Sequence, residues 1–317
     1  MSYANGIHHV TAIAGPAQRN LAFYGETLGL RLVKRTVNFD DPTTWHLYFG
    51  DEAGSPGTIM TFFPWAHAAS GRVGIGQSSE TAFRVPESAL GYWTHRFLSK
   101  GVSHGSIVKR LGDSVLPFKD PDGTILALVG VSGIGDEPFW PGGEIPAESA
   151  IRGFHGVTLL VAEGTRTGAV LTDVLGFERD GSEGATVRYR APMAGMGGVV
   201  DVRAAGGFLP GRTGAGSVHH VAFRAADDAM QADMTGRLVR EHGLHVTEQR
   251  DRHYFRSVYF REPGGVLFEI ATDRPGFTID EPVATLGTAL KLPPFLEDRH
   301  EAIAATLPTL ATEEDGI

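Results

Sequence analysis

The chain has 317 residues, with 28 basic and 37 acidic side chains for a net charge of −9, and it contains no cysteine. That length accommodates two domains with cores of their own. The acidic balance argues against nucleic acid or an anionic membrane as partner, and the missing thiols leave His, Asp and Glu as metal ligands.

The start, MSYANGIHHV, has no basic region and no long apolar run, so no signal peptide is expected. No stretch approaches the roughly 18 consecutive apolar residues of a membrane span. The expectation is a cytoplasmic enzyme or binding protein. Residues 6–13 read as a β-branched apolar strand, 18–28 as an amphipathic helix stopped by Gly29, and 31–37, 44–49 and 57–63 as three strands. This is one β-α-β-β-β unit.

After a glycine-rich link at 66–76 the plan repeats, with strand 81–85, helix 87–100 ended by Gly101, and strands 106–110, 114–118 and 123–129. Residues 131–150 are rich in Pro, Gly and acids without periodicity and mark a connection. A third unit opens at GFHGVT (153–158), and its helix runs out in VLGF (174–177), an echo of TLGL (27–30). A fourth opens at SVHHVAF (217–223), with a helix at 227–242 stopped by Gly243 and last strands at 254–261 and 265–271.

The units match at several points: FKDPDG (118–123) lies over FREPGG (260–265), and IHHVT (7–11) over FHGVT (154–158). Such repetition is a strong architectural signal. The expected fold is α+β, with four βαβββ modules in two tandem halves, paired into cup-shaped curved mixed sheets. The halves are 1–135 and 151–274, with a linker at 136–150 and a tail at 275–317. In the tail, 298–307 reads as a helix capping the body, and the final EEDGI as frayed. Exposed sheet edges predict a homo-oligomer.

Two strands carry adjacent histidines, His8-His9 and His219-His220, and the strand in PGGVLFEIA (263–271) carries Glu269. A buried imidazole or carboxylate needs a partner, and two His strands with one Glu strand suit a 2-His-1-carboxylate metal site. The repeat gives an internal control: His9 aligns with Gly156, His220 with about Glu80 and Glu269 with Ala127. The set is intact only between the first and fourth units, so those two should share a cup, and the second and third a cup without metal. Alternation along the strand puts Thr11 on the face of His9, which favours His9 and His220 as ligands. His8 and His219 then face away unless a bulge turns them. His46 is left open, and Arg252 and Tyr259 stand between pocket lining and ordinary packing.

With these stretches, LVKRT (32–36), HLYFGDE (46–52) and GSPGTIMT (54–61), the chain resembles the vicinal oxygen chelate superfamily. The nearest likeness is to its hydroquinone ring-cleaving dioxygenases, of the 2,6-dichlorohydroquinone 1,2-dioxygenase kind. The resemblance runs over nearly the whole chain. It implies Fe(II), sometimes Mn(II), held by His9, His220 and Glu269, and pocket roles for His8, Thr11, His219, Arg252 and Tyr259. It implies a small aromatic diol and O₂ as reactants, in an extradiol-type cleavage. His253 departs from the family, which has a smaller residue there, and this would alter the pocket beside Arg252. Two rivals share the fold. A glyoxalase-like isomerase takes a carboxylate from each paired module, but the first unit offers only Thr61 opposite Glu269. A non-catalytic binding or resistance protein needs the cup and no triad.

Overall fold

The computed structural model describes residues 6–311, so the terminal EEDGI lies outside the described residues. Each of the four units has the expected plan. The first comprises β1 (Ile7–Ala14), α1 (Ala17–Leu21), β2 (Arg31–Asn38), β3 (Asp41–Gly50) and β4 (Ile59–Pro64). The second comprises β5 (Gln77–Pro86), α2 (Leu90–Ser99), β6 (Val108–Arg110), β7 (Asp113–Lys119) and β8 (Ile125–Val131). The third comprises β9 (Phe154–Val161), α3 (Thr165–Asp173), β10 (Glu178–Glu183), β11 (Thr186–Arg190) and β12 (Val199–Ala204). The fourth comprises β13 (Ser217–Ala225), α4 (Asp228–His242), β14 (Arg250–Asp251), β15 (Phe255–Arg261) and β16 (Leu267–Pro275). No helix among the described residues is long and apolar enough to cross a membrane.

Two eight-stranded mixed sheets result, and neither is made from consecutive units. One runs β14-β15-β16-β13-β1-β4-β3-β2 and the other β10-β11-β12-β9-β5-β8-β7-β6. The first unit thus joins the fourth through antiparallel β1–β13, and the second joins the third through antiparallel β5–β9. The central strands are buried on both faces: every residue of β1 is buried. The register confirms the internal alignment. Thr11 pairs with His220 where Thr158 pairs with Glu80, and Ala222 pairs with Glu269 where Ala82 pairs with Ala127.

The helices show how local sequence ends each element. Asp227 caps α4 by accepting from the Met230 amide, and Gly243, left-handed at φ 63°, closes it. The first helix departs from expectation. It is α-helical only over Ala17–Leu21 and continues as a π-helix over Ala22–Thr27. The wider turn buries both Phe23 and Tyr24, and the Tyr24 hydroxyl donates to Asp120 across the junction with the second unit. The tail helix stands where expected, as α6 (His300–Thr306), and a short α5 (Pro294–Glu297) precedes it. Both pack on β2, where Leu292, Leu296 and Ile303 meet Val37. Buried Lys34 ties the tail further, bonding Asp280 at 2.5 Å and also Glu281.

Gly156 explains why the second cup holds no counterpart of His9. A Cβ there would sit 2.0 Å from the Val199 carbonyl oxygen on β12. Any side chain would push the parallel β9–β12 pair apart. We expect Gly156→Ala to destabilise the fold by about 2–3 kcal/mol, the usual cost of forced overpacking, read as a lowered urea midpoint. An unchanged midpoint would show that β12 yields freely.

Candidate metal centre

The three candidate metal ligands, His9, His220 and Glu269, come from three adjacent strands of one sheet, β1, β13 and β16. The β1–β13 register skips His8 on one strand and His219 on the other, so both sit at bulges. The bulges bring each neighbour against the ligand beside it: His8 Nδ1 lies 2.9 Å from His9 Nδ1, and His219 Nδ1 lies 2.8 Å from His220 Nδ1. With their Nδ1 atoms held this way, His9 and His220 present Nε2 to a common point, as metal-ligating imidazoles do. There they meet Glu269 Oε2, at 3.3 Å from His9 and 2.9 Å from His220, with 3.3 Å between the two nitrogens.

These three separations suit a divalent metal. Bonds of about 2.1 Å at right angles place neighbouring donors about 3.0 Å apart, as on one face of an octahedron. Glu269 is fully buried, its Oε1 accepts from Ser257 Oγ, and its Oε2 has no hydrogen-bond partner despite the nearby nitrogens. Such an orphaned buried oxygen is costly unless a cation takes it. Among the described residues no other set of three His, Asp or Glu converges in this way.

Electrostatics keeps the donors ready. Burial works to raise the Glu269 pKa, but His9 and His220 outweigh it and hold the carboxyl well below its ordinary range. Burial lowers the pKa of His220 despite the opposing pull of Glu269. Burial, with His9 adding to it, lowers His8 strongly, while a hydrogen bond to the Thr272 backbone acts the other way. His219 falls to about 4, from burial and then His220. Neutral imidazoles and an ionised carboxylate are the forms that bind metal.

The triad opens on a cavity of about 260 Å³ whose walls include Phe39, Phe63, Trp65, Phe255 and Leu267. Of the residues singled out in the sequence, His219, Arg252 and Tyr259 line it with His9 and His220. Tyr259 stands edge-on to the His220 ring at 5.7 Å. Arg252 donates to Asp40 at 2.8 Å across the mouth, and Arg250 reaches the same carboxylate at 3.7 Å. Burial and then Glu269 push the Tyr259 pKa up, so its hydroxyl stays protonated.

His8 and Thr11 are not among the cavity walls. His8 is buried behind His9 and against Phe255, and Thr11 hydrogen-bonds Thr61. His253 also turns elsewhere, its Nε2 3.4 Å from Asp280 and its ring against Tyr254, so it does not touch the pocket beside Arg252. His46 and Tyr48 do line the cavity, and sequence reasoning left the first open and passed over the second. Their spacing of two on β3, the same-face period of a strand, was the available signal.

The other cup carries ion pairs in place of a triad. Arg188 clamps Asp201 through two bonds of 2.8 Å and also bonds Asp113, and Arg110 bonds Glu80, the counterpart of His220, at 2.8 Å. His155 adds a contact to Asp113 at 3.4 Å. Burial would raise the pKa of Asp113, but His155 and Arg188 hold it down at about 2.

Comparison with known proteins identifies the family. A crystal structure of a provisionally named dioxygenase from Bacillus subtilis superposes with a TM-score of 0.91 at 46% identity, over 96% of this chain and 97% of that one. The Bacillus subtilis protein provisionally named ring-cleaving dioxygenase MhqO is 48% identical over 301 residues, 94% of each chain. Chlorohydroquinone/hydroquinone 1,2-dioxygenase of Sphingobium indicum is 34% identical over 307 residues, 95% of each. Glyoxalase I from Zea mays shares the fold, with a TM-score of 0.64 at 15% identity over 84% of this chain and 92% of that one. The family model described as Glyoxalase/Bleomycin resistance protein/Dioxygenase superfamily matches residues 6–128 and 153–270. The cups, the register of their strands and these matches agree, and the chain belongs to the glyoxalase/bleomycin resistance protein/dioxygenase superfamily.

Proposed function

We propose that the protein is a metal-dependent dioxygenase that opens hydroquinone-type aromatic diols, chlorinated or alkylated ones included, with O₂. The observation that carries this reading is the convergence of His9, His220 and buried Glu269 at an aromatic-lined cavity whose wall includes both imidazoles. At about 260 Å³ the cavity is smaller than the ~300–1,000 Å³ of sites for drug-sized ligands and suits a single substituted ring. The names of the relatives at 34% and 48% identity support it.

His9, His220 and Glu269 would hold iron(II), with manganese(II) the alternative that the same donors accept. When bound, the metal supplies open positions for a phenolic oxygen and O₂ and a path for electrons between them. The remaining work falls to the protein. Phe39, Phe63 and Phe255 exclude water and hold the ring flat. Arg252, held at the mouth by Asp40, steadies negative charge that develops on the substrate's oxygens. Tyr259 and His219 face the ring and hold or pass its protons, while His8 and Thr11 act from behind the wall. In a para-diol no bond joins two hydroxylated carbons, so cleavage falls beside one of them, in the extradiol manner. Both oxygen atoms enter the product as one ring C–C bond breaks. The cytoplasm and a homo-oligomeric state remain our proposals for its setting.

Metal analysis after anaerobic purification, with oxygen uptake on adding 2-methyl- or 2-chlorohydroquinone, tests the proposal. About one iron per chain with uptake is expected; bound metal without uptake on any aromatic diol would overturn it. Tyr259→Phe is expected to keep the metal and lose about a hundredfold in kcat. Unchanged turnover would remove Tyr259 from the chemistry.

A further inference from the structure

The metal cup has an internal twofold relating the first unit to the fourth, and it leads to side chains not yet given a role. Thr61 on β4 pairs with Thr11 on β1 and with Tyr48 on β3. Glu269 on β16 pairs with Ala222 on β13 and with Tyr259 on β15. Thr61 is therefore the counterpart of Glu269, and Tyr48 the counterpart of Tyr259. Two residues before each tyrosine stand His46 and Ser257, and their contacts correspond as well: Ser257 bonds Glu269, and His46 Nε2 lies 2.9 Å from Thr61 Oγ1.

Where one half of the cup has a metal-binding carboxylate, the other has an uncharged hydrogen-bonded row. The Tyr48 hydroxyl lies 2.9 Å from His46 Nδ1, His46 Nε2 2.9 Å from Thr61 Oγ1, and Thr61 Oγ1 2.9 Å from Thr11 Oγ1. Burial, with His9, His220 and Arg252, keeps His46 neutral, and burial, with Tyr259 and Glu269, keeps Tyr48 protonated. Both ring nitrogens of His46 are used inside the row, so it has nothing left for a ligand. A tyrosine hydroxyl offers one proton and two lone pairs, and the bond to His46 uses one of these. Tyr48 lines the cavity and keeps the rest.

We propose that Tyr48, its hydroxyl set by His46, recognises the substrate's second oxygen, the ring hydroxyl away from the metal, and so makes the site select a diol over a monophenol. Tyr48 is the contact and His46 a positioning residue. The row works in either sense. With Tyr48 donating to His46, its oxygen accepts from a phenolic O–H; with the row reversed, His46 donates and the Tyr48 O–H is free for a carbonyl oxygen. The substrate oxygen can pass from hydroxyl to carbonyl without losing its partner. The inference rests on the aromatic-diol reading above.

The experiment is calorimetric titration of the iron-loaded chain under nitrogen with hydroquinone and with phenol, which lacks only the second hydroxyl. The wild type is expected to bind hydroquinone about tenfold tighter, the worth of one hydrogen bond. Tyr48→Phe is expected to bring the ratio to about one by weakening hydroquinone alone, and His46→Leu to lower it part of the way, each with metal content unchanged. Equal affinities in the wild type, or a Tyr48→Phe effect shared by both ligands, would overturn the assignment. Oxygen uptake by the same preparations separates the two levels. Uptake with hydroquinone beside a wild-type ratio of one sinks Tyr48 and keeps the dioxygenase, whereas no uptake with any diol sinks the reading beneath it.

Discussion

Replacing His220 with alanine is expected to empty the metal centre and abolish oxygen uptake while the chain stays folded. Of the two imidazoles, His220 makes the shorter approach to Glu269, at 2.9 Å. Its loss leaves a fully buried carboxylate facing one imidazole, with Oε2 still lacking a hydrogen bond. Two remaining donors would hold a divalent ion less firmly than three. The drop in metal affinity should exceed the roughly 10–100-fold that an outer partner contributes. His8→Ala provides that comparison, since His8 bonds the Nδ1 of His9 and lies outside the cavity. It should weaken metal by about 10–100-fold and leave the triad intact. Metal analysis and circular dichroism of both variants decide the matter. Equal metal content in wild type and His220→Ala would remove the triad from the protein's chemistry.

The second large effect is on stability, in the metal-free chain. Burial lowers the pKa of His8, His46 and His220 in the folded state, with neighbouring positive charge adding to it at His8 and His46. Below the unfolded value near 6.5 the unfolded chain takes up these protons and the native chain does not, so stability falls as pH falls. One unit below 6.5, each imidazole that stays neutral in the folded chain costs about 1.4 kcal/mol. Glu269 adds a loss of the same sign at lower pH, since its depressed pKa stabilises the fold above about 4.5 and that contribution fades as pH drops through the folded value. Urea midpoints in EDTA should therefore fall clearly between pH 7.5 and 5.5. A flat profile would mean that the cup admits water and its imidazoles protonate in place.

The triad was legible because repetition turns one sequence into its own control. IHHVT over FHGVT shows His9 against Gly156, and strand alternation with Thr11 picks His9 over His8. The cups, the pairing of first with fourth unit and the helix stops at Gly29 and Gly243 followed from the same regularities. What stayed hidden depends on register and bulges. That His8 and His219 turn toward their neighbours needs the two skipped positions of β1–β13, and no residue type announces a bulge there. The π-helical turn at Ala22–Thr27 has the composition of an ordinary helix. The Tyr48–His46–Thr61–Thr11 row crosses three strands, and the Arg188 cluster draws Asp113 and Asp201 from two units, so neither exists until the sheets pair.

The nested order of the strands also dictates when the metal can be captured. The inner cup uses only residues 77–204, and its strands are complete once β12 has been made. The outer cup joins β1, made before the inner strands, to β13 and β16, made after them, across 211 positions between His9 and His220. Closing so long a loop is slow and entropically costly. During synthesis β1 must therefore wait for its partner β13 until the inner strands have been made. The three candidate donors cannot meet until Glu269 has left the ribosome, so an interrupted chain carries at most two of them.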